Sequence, residues 1–178
     1  MIVYENFLPQ DYFYYLNDLV IREEEPKINW YFNSSISGID DNNNSNNQYG
    51  FSHTLFLDNP NSIFFEHFSP IISIMSNQYN IQIITIKRMR LGMQTKVGNE
   101  SIINYPHIDY FNEHEVFLLY LNDANGDTVF YDNDKKEINR VSPRPNRAVL
   151  FDGLIPHSSS TPTNNSRRIA LNINFNLI

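Results

Sequence analysis

The 178-residue chain contains no cysteine. That absence removes thiolate nucleophiles, disulfides and cysteine-ligated zinc or iron–sulfur centres together. The chain also lacks any apolar run near the ~18–20 residues that a membrane helix needs. Its first residues, Met1 to Asn6, have no basic flank, so a secretory signal is not expected and a cytoplasmic protein is. Positive charge is in short supply: 13 Lys and Arg stand against 20 Asp and Glu, a formal net charge of -7. That balance disfavours loose binding to phosphate backbones, so nucleic acid is not an expected partner. One local exception is a candidate basic patch of Lys87, Arg88, Arg90 and Lys96. No internal repeat is visible.

What remains is a chain built to fold. Hydrophobic residues make up 41% and aromatics 14%, enough for a core, and the length suits one domain rather than two. We expect a single domain over residues 1–178, with a helical support region at 1–80 and a β core at 81–178. The spacing of Phe13, Leu16, Leu19 and Val20 predicts a helix within 7–25. Residues 28–36 look extended, and 38–48 read as a polar, turn-rich loop. Asn59-Pro60-Asn61 is a helix-start signal. Phe64, Phe68, Ile71, Ile72 and Met75 then recur at helical spacing, with Pro70 kinking or splitting the helix. The first third should therefore be mainly helical.

After residue 80 the period shortens. Strands are expected within 81–96, at 116–122, 128–131 and 138–141, at 148–151 and at 167–177. Many short strands separated by turns argue for an antiparallel sandwich or barrel. The expected class is α+β, mainly β: a jelly roll with N-terminal helices packed on one sheet.

Four residues carry chemistry. His107 and Asp109, in Tyr105-Pro106-His107-Ile108-Asp109, would share one face of a strand. His157 follows Pro156, and Arg168 opens the last strand. Two histidines and a carboxylate can hold one face of an octahedral Fe(II) and leave three positions open. On the last strand Ile169, Leu171, Ile173 and Phe175 form an apolar face. Arg168, Ala170, Asn172 and Asn174 form the other, so Arg168 points into polar surroundings. A buried arginine needs an anion, and a carboxylate cosubstrate supplies one. Tyr120, ending an apolar strand, could share that carboxylate, and Asn172 is read as a further cosubstrate contact. His53, His67 and His114 have no partner pattern and read as surface or packing residues.

These motifs resemble those of Fe(II)- and 2-oxoglutarate-dependent oxygenases, in the prolyl-hydroxylase-like branch and among small phage-encoded members. The resemblance lies in Pro106-His107-Ile108-Asp109, Tyr120-Leu121-Asn122 and Gly126-Asp127-Thr128-Val129-Phe130. It continues in Asn146 to Asp152, Pro156-His157 and Arg167 to Asn172. It covers residues 85–178 clearly and the N-terminal helices more loosely. Gly126-Asp127-Thr128 stands where prolyl hydroxylases commonly carry Gly-Gly-Glu-Thr. The resemblance implies a double-stranded β-helix, with iron held by His107, Asp109 and His157. It implies 2-oxoglutarate held by Arg168 with Tyr120 assisting, and O2 as the second cosubstrate. The products would be succinate, CO2 and a hydroxylated C–H bond. Retention of Asp109 argues for hydroxylation over halogenation. A protein or peptide side chain, proline first, is the expected substrate. The alternatives are a nucleobase or free small molecule, or a cupin-like module that binds metal or ligand without turnover. A phage-encoded member would work in the host cytoplasm.

Overall fold

The computed structural model describes residues 1–22, 27–36 and 49–178. The polar loop expected at 38–48 lies outside the described residues. In chain order the elements are β1 (Ile2–Tyr4), α1 (Gln10–Ile21), β2 (Tyr31–Asn33), β3 (Gly50–Leu57) and β4 (Asn59–Pro60). Two helices follow, α2 (Phe65–Phe68) and α3 (Pro70–Tyr79). The remainder is strand: β5 (Ile83–Thr95), β6 (Glu115–Tyr120), β7 (Thr128–Tyr131), β8 (Glu137–Val141), β9 (Ala148–Asp152), β10 (His157–Ser159) and β11 (Arg167–Leu177).

All strand pairs are antiparallel. The large sheet runs β1-β9-β6-β11-β5-β3-β2, with β4 beside β3, and the small sheet runs β10-β7-β8. Alternation along β6 and β11 explains how the two faces of the large sheet are used. Phe117, Leu119, Ile169, Leu171, Ile173 and Phe175 join the core that includes Phe13, Leu16, Phe68, Ile71 and Met75 of the helices. Val116, Leu118, Tyr120 and Ala170 turn the other way, into a second cluster with Phe130 and Val141 of the small sheet. Fully burying one such side chain contributes roughly 1.5–3 kcal/mol, so the helical layer and the small sheet are each held by several such contributions.

Pro70 does split the helix. Position Asn59–Pro60, however, starts no helix: it pairs with Leu57 and Phe56 of β3, and the helical segment begins at Phe65. The region before residue 80 carries strands as well as its helices, because β1, β2 and β3 all join the large sheet. Asn80 ends α3 in the left-handed conformation, φ 52°, a backbone that asparagine tolerates better than most residues. Asn146 ties the N-terminal segment down, its amide accepting from the Leu8 N–H (2.8 Å) and donating to the Leu8 carbonyl (2.9 Å).

Candidate active site

The register of β11 against β5 sets the floor of a cavity between the two sheets. Four rungs face it in order: Arg168 opposite Gln94, Ala170 opposite Gly92, Asn172 opposite Arg90, Asn174 opposite Arg88. Of these, Arg168, Gln94, Ala170, Gly92, Asn172 and Arg90 line a cavity of about 120 Å³, together with His107, Asp109 and His157.

His107, Asp109 and His157 converge so that one ligand atom from each lies within 4.8 Å of the others. The route to that geometry differs from the expected one. His107 forms a two-way backbone bridge with His157, N–H to carbonyl at 3.0 and 2.9 Å. Asp109 lies outside any strand, so the pair does not share a strand face. The His157 Nδ1 faces the Ile155 carbonyl at 3.0 Å, and the His107 Nδ1 faces the Tyr105 carbonyl at 3.4 Å. Protonation there leaves both Nε2 atoms unprotonated, each 4.0 Å from an Asp109 carboxylate oxygen. A second hydrogen bond that fixes the tautomer in this way is what a metal-ligating histidine requires.

Asp109 is oriented by three donors. Arg88 Nη2 reaches Oδ1 at 2.7 Å, and the amides of Asn172 and Asn174 reach Oδ2 at 3.1 and 2.8 Å. Burial raises the carboxyl's pKa, but Arg88, His157, the Asn174 amide and His107 together hold it well below the usual range. Burial also depresses His107, aided by His157 and opposed by Asp109, to about 4, and burial lowers His157 as well. At neutral pH the site therefore holds two neutral imidazoles and one carboxylate, the protonation state that binds a divalent cation. The donor set fits Fe(II).

That state has a stability consequence. His107 takes up a proton near 6.5 when unfolded but near 4 when folded. The unfolded chain thus binds more protons between those values, and stability falls as pH falls through the window. The carboxyl of Asp109 loses its contribution only at lower pH. We expect the metal-free protein to melt at lower temperature near pH 4.5 than near pH 7, with a smaller drop in His107→Gln. Equal drops in both proteins would remove His107 as the cause.

Arg168 sits at the far end of the floor. Its Nε donates to the Gly126 carbonyl (2.7 Å) and its Nη2 to Thr128 Oγ1 (2.7 Å). Gly126 is required there: a Cβ would stand 2.4 Å from the Ser160 carbonyl oxygen. Between Arg168 and the triad lies the Ala170–Gly92 rung, which carries almost no side chain. Arg168 and Asn172 are four residues apart, about 14 Å at ~3.4 Å per residue, and the small rung leaves that interval open.

The two further residues expected to contact the cosubstrate, Tyr120 and Asn172, are placed differently from each other. Tyr120 is fully buried and does not line the cavity. Its hydroxyl donates to Thr128 Oγ1 at 2.7 Å, and the Arg168 guanidinium lies over its ring at 5.4 Å. Tyr120 therefore backs Arg168. Asn172 lines the cavity, but its amide is committed to Asp109. Sequence reasoning missed Thr128, Gln94 and the Arg88–Asp109 pair. The signal for Gln94 was the alternation of Arg88, Arg90, Gly92 and Gln94 on one face of β5. His53 and His114 are buried packing residues, with His53 bonded to the Asn29 carbonyl and Ser62.

Comparison with known proteins agrees with this geometry. Residues 101–176 match the model of the 2OG-Fe(II) oxygenase superfamily, whose members use Fe(II), 2-oxoglutarate and O2. A search of curated protein sequences finds no match. Among solved structures, a prolyl hydroxylase from Trichoplax adhaerens, in complex with a hypoxia-inducible-factor degradation-domain peptide, is 17% identical. It superposes with a TM-score of 0.64 over 98% of this chain and 82% of its own. A prolyl-4-hydroxylase from Pseudomonas putida is 14% identical, TM-score 0.61, covering 98% and 90%. SnoN, an α-ketoglutarate-dependent epimerase from nogalamycin biosynthesis, is 10% identical, TM-score 0.64, covering 98% and 76%. These likenesses establish the double-stranded β-helix fold. Among the described residues, no helix is long and apolar enough to cross a membrane.

Proposed function

We propose that this chain, whose residues 101–176 match the model of the 2OG-Fe(II) oxygenase superfamily, is an iron- and 2-oxoglutarate-dependent dioxygenase that hydroxylates a C–H bond. The observation that carries this reading is one cavity holding the His107–Asp109–His157 cluster at one end and Arg168 at the other. Iron, when bound, supplies the O2 chemistry that couples loss of CO2 from 2-oxoglutarate to oxidation of the substrate. His107, Asp109 and His157 hold the cation. Arg88, Asn172 and Asn174 fix the carboxylate ligand. Arg168 takes the distal carboxylate of the cosubstrate, and Thr128, Gly126 and Tyr120 keep its guanidinium in place.

A protein or peptide side chain, proline first, is the substrate that the two prolyl hydroxylases support. A free small molecule is the second reading, supported by the likeness to SnoN. A cytoplasmic location belongs to the same proposal. The test is succinate formation by Fe(II)-reconstituted protein, with mass spectrometry of candidate peptides and small molecules for gain of one oxygen atom. Gly92→Leu serves as a blocked control: its Cβ has room, 4.0 Å from the Ala170 carbonyl oxygen, but a longer side chain fills the open rung. If the wild type neither binds nor decarboxylates 2-oxoglutarate with any substrate offered, the reading is lost. If it then still binds metal, a non-catalytic binding module takes its place.

A further inference from the structure

Among the charged residues that line the cavity, Arg90 is the one that the proposed chemistry does not use. Its side chain lines the cavity beside Asp109 and Asn172. It makes no hydrogen bond or ion pair among the described residues, whereas Arg88 is matched to Asp109 and Arg168 to Thr128 and Gly126. A partly buried cation with no matched anion is costly. Burial and the neighbouring Arg88 lower its pKa only to about 10, so it stays charged at neutral pH.

The charges can be counted on the proposed reading, on which this inference rests. A bound dication is matched by Asp109 and one cosubstrate carboxylate, and the other cosubstrate carboxylate by Arg168. Arg88 and Arg90 are then both in surplus, but Arg88 still donates to an Asp109 oxygen. Arg90 has no such acceptor among the described residues, and an anion placed beside it would lower the surplus.

Its place in the sheet shows where that anion enters. β5 lies between β11 and β3, so Arg90 has Asn172 on one side and Thr54 on the other. The line from Arg168 to the triad follows β11, and Arg90 flanks that line on its β3 side. There the wall includes the polar Ser52, Asn33 and Ser35 beside the apolar Phe51 and Ile36. Asn33 Nδ2 donates to Ser52 Oγ at 3.0 Å, which leaves the Ser52 hydroxyl proton free to point at a ligand. A guanidinium with a hydroxyl beside it is suited to a carboxylate.

We infer that the substrate carries a carboxylate close to the carbon that reacts, and that Arg90 anchors it, with Ser52 as a second donor. The carboxylate could belong to a free amino acid, to a peptide's C-terminus or to an acidic side chain flanking the target residue. The experiment separates these sources. Protein loaded with Zn(II), which does not turn over, and saturated with 2-oxoglutarate is titrated calorimetrically. The probes are the free L-amino acids, acetylated peptides ending in each residue, and internal peptides with an adjacent aspartate, each against its carboxamide or asparagine counterpart.

At least one acid should bind about 10-fold or more tighter than its neutral counterpart. Arg90→Gln should remove that preference, with a loss at least about 10 times larger for the acid than for 2-oxoglutarate. Arg90→Lys should restore part of it by keeping the charge. If acids and amides bind alike across the panel, the inference is overturned. It is also overturned if Arg90→Gln weakens 2-oxoglutarate as much as the acid, which would make Arg90 a cosubstrate residue. Failure of 2-oxoglutarate itself to bind the Zn(II)-loaded wild type would instead overturn the functional reading beneath it.

Discussion

Asp109→Ala is expected to abolish iron-dependent 2-oxoglutarate turnover, a loss beyond the roughly 10–100-fold that removal of an outer partner of a metal ligand costs. The same substitution should destabilise the metal-free fold. Asp109 accepts from Arg88, Asn172 and Asn174, and its removal strands the Arg88 guanidinium, whose side chain is only 16% exposed. Breaking one side of a buried pair costs about 3–5 kcal/mol, because the remaining charge has no partner. The double variant Arg88→Met with Asp109→Ala removes that stranded charge. It should recover part of the lost melting temperature and none of the activity.

The two readouts separate a metal ligand from a structural carboxylate. Metal content after reconstitution, succinate formation and thermal unfolding can all be measured on the same three proteins. An Asp109→Ala protein that still holds iron and decarboxylates 2-oxoglutarate would sink the proposed centre. One that still holds iron but was matched by an equally inactive wild type would point to a binding module.

The last strand was the most legible part of the molecule, because its alternation is unbroken from Arg168 to Phe175 and both faces meet well-defined surroundings. The triad was legible by residue type but not by geometry. His107 and Asp109 converge through a bend after a single β-bridge, and nothing in a five-residue motif distinguishes that from a strand. β3 was hidden for a different reason. A register shift between Thr54 and Phe56 breaks its two-residue period, and His53, Ser52 and Thr54 dilute its apolar signal. Asn59–Pro60 carried a helix-start composition, yet pairing with β3 overrode it, as tertiary contacts routinely override local preference. The Arg88–Asp109 pair spans 21 residues and depends on the fold bringing the Asp109 segment over β5. Tyr120 was expected to share the cosubstrate carboxylate, and it lies against Thr128 and Arg168 instead of lining the cavity. Its depth behind Thr128 could not be read from alternation, which gives direction and not distance from the cavity.

Arg168→Met is the second large effect expected. Methionine keeps much of the apolar stem's volume, so the contact with the Tyr120 ring survives in part while the charge and its fork are lost. On the proposed reading the guanidinium spends Nε on the Gly126 carbonyl and one Nη2 proton on Thr128, which orients the remaining N–H groups toward the cavity that Arg168 lines. Losing a buried charge-assisted contact costs about 2–5 kcal/mol, and about 1.4 kcal/mol is a tenfold change in affinity. The dissociation constant for 2-oxoglutarate in the metal-loaded protein should therefore rise by about 30-fold or more. Iron affinity should be affected far less, because the triad lies at the other end of the Ala170–Gly92 rung. Arg168→Lys tests the orientation argument: it keeps a charge but cannot satisfy Gly126 and Thr128 while also presenting a planar pair of donors. Its affinity should fall between the wild type and Arg168→Met. A lysine variant equal to the wild type would mean that a point charge suffices and that the Gly126–Thr128–Tyr120 support is incidental. A methionine variant equal to the wild type would place the cosubstrate elsewhere in the cavity, with Arg90 the first residue to test in its stead.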